Sequence, residues 1–129
     1  MEINNPQALA ELTEAFRRYE SALSSNQPEV LNQLFWNSTC TVRYGVAENL
    51  NGHSEIVNYR RQRARAGGAP QRTVTREVIT TFGRDFGTTN IEYIRTQSGR
   101  RGRQSQAWAR TADGWRIVSA HVSLLAESD

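Results

Sequence analysis

The stretch Leu34 to Gly52, LFWNSTCTVRYGVAENLNG, joins a helical half of the chain to a strand-rich half. In its middle Arg43 sits in the β-branched run Thr39-Cys40-Thr41-Val42-Arg43-Tyr44, the composition of a strand. Alternate residues of a strand share a face, so Thr41, Arg43 and Gly45 point one way while Val42 and Tyr44 point the other. If Arg43 points inward, its guanidinium sits in a protein interior, where an unpaired charge is costly and has to meet a carboxylate or a bound anion. On periodicity alone another reading stands beside it, an arginine on the solvent face of an edge strand.

Toward the N-terminus, Asn5-Pro6 has the chemistry of a helix start, with Asn as N-cap and Pro at the first helical position. Leu9, Leu12, Ala15, Phe16, Tyr19, Ala22 and Leu23 then recur at three- and four-residue spacing, which predicts an amphipathic helix of about 20 residues with Tyr19 on its buried stripe. Ser24 to Pro28 breaks it, and Pro28 to Leu34 is a second, short helix whose exit Phe35-Trp36 anchors.

Toward the C-terminus, Gly45 to Gly52 reads as a loop or short hairpin containing Glu48 and Asn49. Ser54 is placed to cap a third helix, Glu55 to about Ala66, with His53 as a turn residue before it. That helix has a thin apolar face (Ile56, Val57, Tyr59, Ala64) and carries Arg60, Arg61, Arg63 and Arg65 on the other. After Gly67-Gly68-Ala69-Pro70 the periodicity becomes that of strands, in four runs: Arg72–Phe82, Phe86–Thr96, Arg103–Thr111 and Trp115–Leu125. Short polar turns between them make an antiparallel meander. The expectation is one α+β domain over residues 1–129, a cone-shaped half-barrel with the N-terminal helices packed on a curved antiparallel sheet. An inward Tyr19 and an inward Arg43 would meet in the pocket between helix and sheet.

Composition narrows the chemistry. All 16 basic residues are arginine, so Schiff-base chemistry on a lysine is excluded, and a net charge of +3 favours anionic partners. A single cysteine excludes an internal disulfide, and with only two histidines the usual zinc sites cannot be assembled, so neither metal nor cofactor is expected. Cys40 reads as a small apolar filler in a strand. No run of about 18 apolar residues predicts a membrane span. The N-terminus resembles no signal peptide, which makes the cytoplasm the expected compartment. Arg60, Arg61, Arg63 and Arg65 with Arg100, Arg101 and Arg103 would form a nucleic-acid patch only if they shared a face; with little aromatic interleaving they read as solvated surfaces.

The order of elements, with the closing segment Asp113-Gly114-Trp115-Arg116-Ile117-Val118-Ser119-Ala120-His121-Val122-Ser123, resembles the cone-shaped fold of the nuclear-transport-factor-two-like superfamily, which includes SnoaL-like cyclases and ketosteroid isomerase. Six blocks resemble the AtzH-like family, which also contains the HpxZ proteins of oxalurate catabolism: Phe16 to Leu23, Leu34 to Trp36, Thr41 to Gly45, Glu48 to Leu50, Ile79 to Phe86 and Gly102 to Trp108. The resemblance implies a decarboxylating amidohydrolase acting on 1,3-dicarboxyurea in cyanuric acid breakdown. It also implies an essential tyrosine and arginine at the positions of Tyr19 and Arg43, and a homodimer formed through the exposed sheet face.

Each role has a physical basis. Arginine holds a carboxylate with a planar, two-pronged fork that lysine cannot reproduce. Loss of carbon dioxide from an N-carboxyl group is assisted when its nitrogen gains a proton, which Tyr19 can supply. The alternative for Tyr19 is a core tyrosine whose hydroxyl bonds a neighbour. Gln104 and Gln106 share a strand face and would orient a urea-like group, unless that face is the outer one. His121 alternates with Trp115, Ile117 and Ser119 and is expected to line the pocket in a supporting role. Glu48 and Asn49 fall near the cavity mouth, with Glu48 compensating Arg43 in the empty site. A ketosteroid isomerase would need a carboxylate base aimed into an apolar cavity, and no carboxylate is in a clearly inward position. A non-catalytic ligand-binding protein, or an accessory subunit of an amidase in ureide, s-triazine or oxalurate catabolism, is the alternative.

Overall fold

Asn5 starts the first helix as the sequence predicts: its side-chain oxygen accepts from the Ala8 N–H at 3.1 Å, and Pro6 follows at the first helical position. In the computed structural model, which describes residues 1–127, this helix is α1, Pro6–Ser24. Its stripe of Ala8, Leu12, Phe16, Tyr19, Ala22 and Leu23 is buried. Burying one such Leu or Phe contributes about 1.5–3 kcal/mol, so this face decides where the helix docks.

The remaining elements are α2 (Pro28–Leu34), β1 (Val42–Tyr44), β2 (Asn49–Asn51), α3 (His53–Arg65), β3 (Arg72–Phe82), β4 (Phe86–Arg95), β5 (Arg101–Thr111) and β6 (Gly114–Leu124). The strands form one curved, unclosed sheet in the order β2-β1-β6-β5-β4-β3, and α1 packs over its inner face against β3 and β6. The fold is therefore α+β, as expected. All neighbouring strands are antiparallel except β1 and β6, which run parallel. Arg43 lies on an interior strand between β2 and β6 and not on an edge.

Several local expectations are corrected. The first strand begins at Val42, not Thr39; Cys40 falls in the preceding turn and is exposed, so it fills no core. The third helix begins at His53 with Gly52 as N-cap, a glycine at φ +88° where a side chain would be strained. Ser54 makes no cap because the chain enters the helix directly from β2, with the His53 N–H donating to the Ser38 carbonyl at 3.0 Å. His53 is helical, and its Nε2 donates to the Asn32 carbonyl at 2.8 Å, tying α3 to α2.

A further correction concerns β6. Ala107 pairs with Ser119 but Trp108 pairs with Ile117, so Val118 is an extra residue, a β-bulge. The bulge reverses the alternation: Trp115 and Ile117 face the core before it, Ala120 and Val122 after it. His121 is thereby turned to the outer face, where it is exposed and meets the Tyr44 ring edge-on at 6.0 Å. It does not line the pocket.

Candidate anion-binding cavity

Between α1, α3 and the inner sheet face lies a cavity of about 300 Å³. Helix α1 contributes Tyr19, β1 Arg43, the β1–β2 turn Glu48, α3 Tyr59, Arg60 and Arg63, β3 Arg72, β4 Tyr93 and Arg95, and β5 Gln104. Five arginines thus line it against one glutamate.

Arg43 is inward, 4% exposed, and its Nη1 meets Glu48 at 2.8 Å. Glu48 reaches it by folding back across Gly45, where a Cβ would lie 1.8 Å from the Glu48 carboxylate. Burial raises the Glu48 pKa, but the hydrogen bond and charge of Arg43, helped by the Ala47 N–H and the Tyr59 hydroxyl, outweigh it and hold the pKa below the usual value.

Arg60 is 3% exposed and no carboxylate pairs with it among the described residues. Its Nη2 donates to the Tyr19 hydroxyl at 3.1 Å. Burial, reinforced by the nearby charges of Arg43 and Arg63, lowers its pKa to about 10, which leaves it cationic at neutral pH. The Tyr59 ring sits among three guanidiniums, with Arg43 at 5.2 Å, Arg63 at 5.6 Å and Arg60 at 5.9 Å from its centroid, and Arg63 donates to its hydroxyl at 2.7 Å. A π face softens part of the mutual repulsion of such a cluster.

Across the cavity Arg72 lies over the Tyr93 ring at 4.6 Å and is held by Glu20 at 2.6 Å. Burial outweighs the pull of Arg72 on Glu20, whose pKa is raised, with Glu77 adding to the rise. Tyr93 packs flat against β5 because residue 102 is glycine; a Cβ there would lie 2.3 Å from the ring.

Of the residues singled out in the sequence, Tyr19, Arg43, Glu48 and Gln104 line this one cavity. Gln106 is inward and buried but sits deeper, accepting from Thr89 Oγ1 at 2.9 Å, and is not in the lining. Asn49 is exposed on β2 and also outside it, because the inward residue of that strand is Leu50. His121 is on the opposite face of the sheet.

Sequence reasoning missed Arg60 and Arg63, which it placed on a solvated face. The signal was present: Arg60 follows Ile56 by four residues, so it shares the buried face, while Arg61 and Arg65 are exposed. The basic run is split between cavity and solvent and forms no continuous patch. Arg72, Tyr93 and Arg95 had no signal of their own, since their convergence depends on strand register.

The model of the AtzH-like family matches residues 1–128. A protein of unknown function from Pectobacterium atrosepticum has the same structure at TM-score 0.90 and 47% identity, with 96% of this chain and 95% of that chain covered. A cystatin-like fold protein from Burkholderia xenovorans matches at TM-score 0.91 and 45% identity, over 99% of each chain. A nuclear transport factor 2-like superfamily protein from Salmonella enterica matches at TM-score 0.72 and 26% identity, over 95% of this chain and 94% of that one. No curated protein matches. With the family model spanning nearly every residue and the cone-shaped α+β fold shared with these structures, the chain belongs to the AtzH-like family.

Proposed function

We propose that this cavity takes a small N-carboxylated urea or related anionic amide, of the 1,3-dicarboxyurea kind, and that the protein is a decarboxylating amidohydrolase in which Arg43 binds the carboxylate and Tyr19 is acid and base. The observation that carries this reading is the polarity of the Tyr19 hydroxyl. A guanidinium has no acceptor, so in the 3.1 Å bond to Arg60 the phenol oxygen accepts and its own proton is left for a ligand.

The steps then balance. Tyr19 gives its proton to the carboxylated nitrogen, the bond from nitrogen to the carboxyl carbon breaks with its electrons going to nitrogen, and carbon dioxide leaves. Arg60 stabilises the phenolate so formed. The phenolate takes a proton from a water that attacks the remaining amide carbonyl, and Tyr19 returns that proton to the departing nitrogen, which leaves as ammonia. The new carboxylic acid reprotonates Tyr19 as it ionises.

The charge of the lining supports an anionic substrate, since arginine exceeds carboxylate five to one. It disfavours a ketosteroid isomerase, because the lining carboxylate, Glu48, is engaged by Arg43 and the walls are charged. The same reading places a homodimer contact on the outer sheet face, where Val78, Phe86 and Ile94 are exposed.

The test is release of ammonia and carbon dioxide from freshly generated N-carboxylated ureas by the wild type, Tyr19→Phe and Arg43→Ala. Turnover lost by about 100-fold or more in both folded variants is the expected result. Binding without turnover in the wild type would replace the enzyme with a ligand-binding or accessory role.

A further inference from the structure

We infer that Gln104 and Arg95 form a second recognition wall in this cavity, one that offers only hydrogen-bond donors, and that Glu20 positions it. The inference rests on the reading of the cavity as a small-anion site.

Arg72 and Arg95 face each other directly across β3 and β4. Like charges in that relation destabilise a sheet, so the pair has no rationale in the fold itself. The structure restrains one of the two. Glu20, on α1, accepts from Arg72 Nη2 with both carboxylate oxygens, at 2.6 and 2.9 Å, and Tyr93 lies beneath the guanidinium. Arg95 has no carboxylate partner among the described residues and lines the cavity.

Held by Glu20, Arg72 Nη1 donates to Gln104 Oε1 at 3.3 Å. Because a guanidinium only donates, this contact fixes which way the amide points: oxygen toward Arg72, Nε2 away from it. That Nε2 has no partner although Gln104 is 2% exposed and lines the cavity. An unpaired buried donor is costly and is satisfied when a ligand brings an acceptor. With Arg95 in the same lining, across from Arg72, this wall accepts a carboxylate and rejects a carboxamide, whose N–H groups would meet donors. Glu20 touches no ligand; it acts through Arg72.

The test is calorimetric titration with malonate, succinate and glutarate and with the half-amide of each. The wild type is expected to prefer at least one dicarboxylate over its half-amide by about tenfold or more, the discrimination that unpaired polar groups provide. Arg95→Gln and Gln104→Leu reduce that ratio to about twofold or less. Glu20→Ala lowers the ratio likewise, and Glu20→Gln, which still offers Arg72 an oxygen, restores most of it, a rescue that a purely structural role would not give. Arg95 is only partly buried, so its variant carries the test should Gln104→Leu fail to fold. A wild-type ratio near one at all three lengths, or a ratio unmoved by Arg95→Gln, overturns the second wall. If Arg43→Ala weakens every ligand while the ratio ignores the wall variants, this inference alone fails; if binding ignores Arg43→Ala, the anion-site reading fails with it.

Discussion

The two ends of the inner sheet surface are built on opposite terms. At the deep end Leu12, Phe16, Trp108 and Ile117 are fully buried, and the polar groups beside them bond one another: Trp108 Nε1 donates to Thr89 Oγ1 at 3.0 Å and Thr89 donates to Gln106 Oε1 at 2.9 Å, with Gln106 Nε2 left without a partner. At the open end the sheet presents Arg43, Arg72, Arg95 and Gln104, with Arg43 Nε and Gln104 Nε2 left unpaired. Strand β5 carries both, Trp108 near one end and Gln104 nearer the other. A buried charge costs more in desolvation than a single pairing returns, so the open end is poor design for stability alone. Folding energy and recognition are therefore separated along the length of the strands.

The largest effect should come from breaking the deep end. Trp108→Ala removes a fully buried indole and the donor to the Thr89 hydroxyl, and we expect a loss of about 3–5 kcal/mol in urea denaturation. A loss under about 1 kcal/mol would mean that this end is not the core. At the open end the sign should reverse. Arg60→Met replaces an unpaired buried charge by an apolar chain of similar reach, so stability should be unchanged or rise by about 1–4 kcal/mol. Binding of a small carboxylate should nonetheless weaken by roughly thirtyfold or more. If Arg60→Met instead costs stability as Trp108→Ala does, the separation does not exist.

That contrast also explains what the sequence discloses. The α1 stripe, with Tyr19 on it, is readable because every third or fourth residue is apolar and the cap Asn5-Pro6 is local. Arg43 was readable as to direction, since strand parity is local too, but its neighbour β6 and hence its burial were not. Val118 carries no mark of a bulge: one extra residue in a β-branched run changes no composition, yet it sends His121 to the outer face. Arg60 looked solvated because arginine usually is, and only its spacing from Ile56 said otherwise. The wall made by Arg72, Tyr93, Arg95 and Gln104 comes from three strands, and register between strands depends on contacts that no single segment encodes.

A smaller effect separates packing from charge within the cavity wall. Gly102→Ala would set a Cβ 2.3 Å from the Tyr93 ring, and moving that ring disturbs the seat of Arg72. We expect about 1–3 kcal/mol of destabilisation by urea denaturation, the usual cost of overpacking. A neutral result would show that Tyr93 has room to move and that Arg72 does not depend on it.

The smallest effect compares the two glutamates that face arginines at the open end. Glu48 has a lowered pKa in the folded protein, because Arg43 outweighs its burial. Its contribution is present above the unfolded carboxylate value, about 4.3, and is lost as pH falls through the lower folded value. Glu20 has a raised pKa, because burial outweighs Arg72. Its contribution runs the other way: it is present below the unfolded value and is lost as pH rises through the higher folded one. From pH about 7 to about 3, the stability advantage of the wild type over Glu48→Gln should therefore shrink, while its advantage over Glu20→Gln should grow. Each change should stay below about 1 kcal/mol, since both carboxylates retain contact with solvent. Urea denaturation across that range reads both slopes. Parallel slopes would mean that the two arginine–carboxylate pairs are electrostatically alike, and that Glu20 is held at Arg72 by its charge and not by the geometry of the wall it supports.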